Sequence, residues 1–205
     1  CKKDLQNKVG LKEKEVPVIG IISRLAAQKG FDLLEEILPH LLQMELQIVV
    51  LGVGEKPYER MFQQAQQDFP DDVSVSLEFN EALAHQIYAG SDLFLMPSRY
   101  EPCGLGQLIS LRYGSIPVVR ATGGLADTVN DFDFASKNGN GFSFRGYGAT
   151  AFLAAVARGL LAYSDQRTWK SLVKRGMKAD FSWQASAKKY EKVYREAQKL
   201  RQQGK

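Results

Sequence analysis

Short apolar runs alternate along this chain with longer segments of helical period, and that alternation is what most narrows its possible folds. The runs cover residues 16–22, 46–51, 73–79, 93–96 and 116–119, and most are rich in Val, Ile and Leu. Strands that read as continuous hydrophobic stretches are covered on both faces, and strands alternating with helices form βαβ units around a parallel sheet. The expected fold is therefore α/β, a doubly wound parallel sheet of the Rossmann-like kind. At 205 residues the chain suits one domain with a core large enough to need no disulfide or metal.

Punctuation places the helices. Residues 30–44 put Phe31, Leu34, Ile37, Leu38, Leu41 and Leu42 at helical spacing, with Pro39 expected to kink or split the element. Asn80 is placed to cap the next helix, with Gly90 at its far end, and residues 104–113 read as a buried helix closed by Gly114. Residues 149–163 and 185–203 read as two further helices, and 133–148, dense in turn formers, as the longest loop. The expected organisation is a leader or linker at 1–15, a domain at 16–182 and a C-terminal helix at 183–205.

Composition excludes more than it identifies. Hydrophobic residues at 44% and charged residues at 24% match an ordinary soluble protein. The net charge of +4 arises largely near the C-terminus, from Lys188, Lys189, Lys192, Arg195, Lys199, Arg201 and Lys205. Glu191 and Glu196 interrupt that field, so a solvated helix surface is expected and no nucleic-acid partner. No run approaches a membrane span, and no signal-peptide pattern opens the chain. Two distant cysteines, Cys1 and Cys103, support neither a disulfide framework nor a metal site and suit a reducing compartment. Opening at Cys1 rather than methionine, the sequence reads as a fragment.

In doubly wound sheets ligands bind beyond the carboxyl ends of the strands, so the residues following each run are the candidates. Arg24 and Lys29 follow the first and can address one anion, such as a diphosphate leaving group. Gly52 and Gly54 follow the second in GVGE, part of a dinucleotide fingerprint that lacks its third glycine. Phe79 ends the third run; the residues alone favour a core position over stacking on a nucleobase. The fourth leads into SRYEPCGLGQL, where Glu101 can accept hydrogen bonds from hydroxyls. There Gly104, Leu105 and Gly106 open a helix whose free N–H groups suit a phosphate. Cys103 reads as a small buried residue, because neither His40 nor His85 is expected on this edge. Thr122, Gly123 and Gly124 follow the fifth run, as a second ligand loop or a plain turn.

Together SRLAAQKGFDLL, LGVGE, HQIYAGSDLFLMPSRYEPCGLGQL and RATGGLADTV resemble the C-terminal half of glycogen and starch synthases, retaining glucosyltransferases of the two-domain GT-B architecture. The resemblance runs from about Pro17 to the chain's end. It implies transfer of glucose from ADP-glucose, or UDP-glucose, to the nonreducing end of an α-1,4-glucan, without cofactor or metal, in a bacterial cytoplasm or a plastid. It assigns Arg24 and Lys29 to the donor diphosphate, Glu101 to the essential carboxylate beside the glucose, the Leu105 and Gly106 N–H groups to the distal phosphate, and Phe79 to the base. Cys103, Gly104, Gly52, Gly54, Thr122 and Gly123 join the donor-binding set. Ile109 stands where many relatives carry a second Glu, which leaves the ribose contact unassigned. Gly106 stands where several carry a hydroxyl residue. The family's N-terminal domain is absent, so the chain alone is expected to bind nucleotide weakly and turn nothing over. The alternatives are a noncatalytic nucleotide-binding or assembly module and another retaining transferase, one making sucrose or a lipid-linked sugar.

Overall fold

A computed structural model describes residues 1–203; Gly204 and Lys205, the end of the expected 183–205 segment, lie outside the described residues. Six parallel strands run in the order β3-β2-β1-β4-β5-β6: β1 Val18–Ile22, β2 Gln47–Leu51, β3 Val73–Ser76, β4 Leu93–Met96, β5 Ile116–Arg120 and β6 Phe142–Phe144. The helices are α1 Lys2–Lys8, α2 Phe31–Leu41, α3 Lys56–Asp68, α4 Glu81–Gly90, α5 Gly106–Tyr113, α6 Gly123–Thr128, α7 Ala149–Ser164, α8 Gln166–Lys178 and α9 Trp183–Gln203. This is the doubly wound α/β fold expected from the alternation, with the order that reverses between β1 and β4.

The strands are buried on both faces, β2 along its whole length. Phe31, Phe62, Phe142 and Phe152 fill the larger helix–sheet layer. Close approach of α4 to β1 depends on Gly20, where a Cβ would come within 2.8 Å of Ile87 Cγ2. Pro117 sits inside β5 without breaking the ladder. The neighbouring Ile116 N–H points to Asp92 of the β4 side, so Pro117 faces β6, whose pairing begins only at Val118.

Four expectations change. Pro39 does not split the helix, because α2 continues through it to Leu41 and Leu42 N–H still donates to the Leu38 carbonyl. Pro39 is in the last turn on the exposed side, where the carbonyl it leaves free can meet water. The expected loop at 133–148 contains β6, hidden among glycines but anchored by fully buried Phe142. β3 stops at Ser76, so Phe79 leaves the sheet and is 93% exposed. Residues 1–15, read as a leader, contain α1, and Leu5 and Leu11 are buried with Val18, Val49, Leu51, Leu83 and Ile87. Lys2 pairs with Asp92 at 2.7 Å, and Gly90 leaves room for Leu5 where a Cβ would not fit. Asn80 caps α4 by accepting from Leu83 N–H, and Gly114 closes α5 in the left-handed conformation, as expected.

Candidate functional site

At the reversal between β1 and β4 the two following segments diverge and leave a crevice at the carboxyl edge. After β1 the chain makes a short 3-10 turn, Ala27–Lys29, and Gly30 at φ 79° redirects it into α2. A side chain at Gly30 would collide with the Pro97 carbonyl, so only glycine lets the two segments touch. They are then stitched together. Arg99 N–H donates to Gln28 O at 2.8 Å, Gln28 Nε2 to Tyr100 O at 3.3 Å, and Arg99 pairs with Asp32 at 3.0 Å.

The loop carrying Glu101 is held from its other side as well. Gly124 N–H donates to the carbonyls of Glu101 and Pro102, both at 3.1 Å, and buried Gln107 sends its amide N–H groups to the carbonyls of Cys103 and Gly104 at 3.2 and 3.0 Å. These bonds fix the loop's main chain and leave its side chains to the crevice and to solvent.

The result is one hollow of about 270 Å3, whose walls include Arg24, Lys29, Glu101, Gly104, Leu105 and Gly106. Lys29 Nζ lies 2.6 Å from Glu101 Oε2, and Ser98 Oγ donates to the same oxygen at 3.2 Å. An ammonium has three N–H donors, so the pairing occupies one and leaves two for a ligand. Among the described residues Arg24 has no ion-pair partner; it is exposed at the hollow's mouth. Two cations and one carboxylate leave the wall net positive, and the first N–H groups of α5 add partial positive charge. The arrangement suits an anion carrying hydroxyls nearby.

A second cavity of about 470 Å3 adjoins the first and shares Ile22, Ser23, Arg24 and Tyr88 with it. Phe79 and Gly52 line it, with Ile109 and His85. Burial pushes the Tyr88 phenol up to about 12, so at neutral pH it is an uncharged hydroxyl between the two cavities. Arg24 stands at the junction, and a ligand with an anionic part in one cavity and a planar apolar part in the other would pass it.

The site expectations divide. Arg24, Lys29, Glu101, Gly104, Leu105 and Gly106 share the first cavity, and Phe79 and Gly52 the second. Gly54 lines neither; its N–H bonds Glu59 Oε1 at 3.0 Å, and its backbone packs against Leu25. Thr122 and Gly123 line neither cavity: Thr122 starts α6, its carbonyl accepting from Leu125 N–H, and Gly123 belongs to the clamp behind the Glu101 loop, where a Cβ would strike the Glu101 carbonyl. Cys103, expected to be buried, is exposed and lines neither cavity, because the loop's carbonyls and not this side chain face the clamp. His85, expected away from this edge, is on the second cavity's wall. It was missed, as was Tyr88, because both belong to the middle of α4. The available signal was the helical spacing of Glu81, His85 and Tyr88 immediately after Phe79.

The family model described as glycosyl transferases group 1 matches residues 2–176. The chain is 54% identical over 194 residues to the glycogen synthase of Desulforudis audaxviator (strain MP104C), covering 94% of this chain and 39% of that protein. It is 52% identical over 199 residues to that of Thermosipho melanesiensis (strain DSM 12029 / CIP 104789 / BI429), covering 96% and 41%. The solved catalytic domain of starch synthase IV from Arabidopsis thaliana bound to ADP and acarbose superposes with a TM-score of 0.84 at 40% identity, covering 95% of this chain and 41% of that one. The chain thus spans about two fifths of the length of the curated relatives it matches.

Proposed function

Since this chain belongs to the group 1 glycosyl transferases, we propose that it is the donor-binding half of an enzyme that moves glucose from ADP-glucose to the nonreducing end of an α-1,4-glucan with retention. The observation that carries the reading is the convergence of Arg24, Lys29 and Glu101 on one hollow at the head of α5. The bound ADP in the similar starch synthase supports a nucleoside diphosphate as the handle.

In this reading the diphosphate occupies the smaller cavity and the nucleoside the larger, with the base against Phe79. As the bond from the anomeric carbon to the distal phosphate breaks, negative charge develops on the diphosphate. Arg24, the two remaining N–H donors of Lys29 and the Leu105 and Gly106 N–H groups stabilise that charge, and being already in place they need no reorganisation. No metal or cofactor is invoked. Glu101 accepts hydrogen bonds from the hexose hydroxyls and holds Lys29 at the rim when the site is empty. The acceptor glucan is bound by a further domain of the same enzyme, on the pattern of the longer relatives, in a bacterial cytoplasm or a plastid.

Thermal unfolding with millimolar ADP, UDP and NAD tests the donor assignment. ADP raises the midpoint most, UDP less and NAD least, and Arg24→Ala with Lys29→Ala removes the ADP shift. An NAD shift as large as that of ADP, or an ADP shift that survives both substitutions, contradicts it.

A further inference from the structure

One face of α4 forms a continuous wall of the larger cavity. Glu81, Ala84, His85 and Tyr88 all line it, at the spacing of a single helix face. At about 1.5 Å per residue they span roughly 10 Å, the scale of a nucleoside. Glu81 lies at the Phe79 end, joined through the cap residue Asn80, while Tyr88 also lines the smaller cavity with Arg24 and Lys29. His85 is therefore midway between the aromatic end and the anion end.

Three of the polar side chains around it, Ser23, Glu78 and Asn80, are already engaged, whereas Arg24 and Tyr88 stand toward the anion end and Glu81 at the Phe79 end. Asn80 Oδ1 accepts from Leu83 N–H, its Nδ2 donates to Glu78 at 2.9 Å, and Ser23 Oγ donates to the Arg24 carbonyl. Ile109, on the α5 side of the cavity, offers only hydrocarbon. His85 Nδ1 is 2.9 Å from the Tyr113 hydroxyl, which fixes the ring and leaves Nε2 as the nitrogen free to address the cavity.

We propose that His85 is a specificity-determining residue that hydrogen-bonds the ribose hydroxyls of the nucleotide through Nε2, with Tyr113 the positioning residue that orients its ring. The assignment rests on the donor reading above. When Tyr113 donates to Nδ1, Nε2–H donates to a ribose oxygen; in the other tautomer Nε2 accepts from a ribose O–H. A vicinal diol satisfies either state. A nucleotide without the hydroxyls leaves Nε2 facing the ligand unpaired, and that loss is the source of discrimination.

Isothermal titration with ADP and with 2′,3′-dideoxy-ADP decides the matter, using the unsubstituted chain, His85→Ala, Tyr113→Phe and Glu81→Gln, each verified as folded by its unfolding midpoint. The unsubstituted chain binds ADP about tenfold more tightly than the dideoxy nucleotide. His85→Ala binds both equally, with affinity for the dideoxy nucleotide unchanged. Tyr113→Phe keeps part of the preference, because Nε2 remains but the ring is freed, and Glu81→Gln keeps all of it. The proposal is overturned if His85→Ala retains the preference, if Tyr113→Phe leaves it untouched, if it disappears with Glu81→Gln, or if the unsubstituted chain binds both nucleotides equally. Failure of the unsubstituted chain to bind either nucleotide overturns the donor reading itself, and the ribose assignment with it.

Discussion

Lys29 and Glu101 face each other at 2.6 Å, and the side chains of both are mostly shielded from solvent. Their opposite roles toward a diphosphate give opposite mutational signs. Lys29→Ala removes a charged donor and weakens ADP binding by about 10- to 100-fold, the range expected for losing a hydrogen bond to an ionised group. Glu101→Gln removes the carboxylate that lines the smaller cavity and binds ADP at least as tightly as the unsubstituted chain. Titration calorimetry on the two variants reads both; a loss of ADP affinity in Glu101→Gln comparable to that in Lys29→Ala contradicts the division of roles. These residues were legible in the sequence because charge immediately after a buried strand has few other places to be in a doubly wound sheet. Cys103 was not, since burial of one loop side chain depends on which way clamped carbonyls turn, and nothing local to EPCG encodes the position of Gly124.

Elements carry the precision of the site. Gly30 combines φ 79° with a collision between any added Cβ and the Pro97 carbonyl. Gly30→Ala is therefore expected to destabilise the domain by about 2 kcal/mol or more, read as a lowered midpoint in urea. Elsewhere α8 is capped by Asp165, which accepts from Arg167 and Thr168 N–H and from Thr168 Oγ1. The hydrogen bonds from Thr168 hold its carboxyl below the ordinary 3.8. A folded-state value below the unfolded one means that the contribution is complete above the unfolded pKa and is lost as pH falls through the folded one. Between pH 7 and pH 3, then, Asp165→Asn should lose less thermal stability than the unsubstituted chain; an equal loss contradicts the cap's role. At this scale the long apolar runs and the Asn80 and Gly114 caps were readable. β6 was not, because three residues between glycines carry too short a pattern to separate a strand from a turn. Pro39 misled because the rule against proline concerns a helix interior, whereas here it lies in the last turn beside water.

For the molecule as a whole, the chain spans about two fifths of its curated relatives, yet its own core extends further toward the N-terminus than the sequence pattern implied. Leu5→Ala is expected to cost about 2–5 kcal/mol in denaturant unfolding, the cost of a cavity in a packed core, whereas a detached leader would show none. α1 escaped the sequence reading because its burial is set by distant partners, Leu83 and Ile87 among them, and by space left at Gly90. The account depends most on the diphosphate lying where two cations, a carboxylate and the head of α5 meet. A crystal structure of the chain with ADP tests that directly. The account predicts the distal phosphate within hydrogen-bonding reach of Arg24, Lys29 and the Leu105 and Gly106 N–H groups, with the base against Phe79. ADP bound elsewhere, for example in the groove lined by Lys170, Lys174 and Lys178 at α8, with the Lys29–Glu101 pair undisturbed, would contradict it.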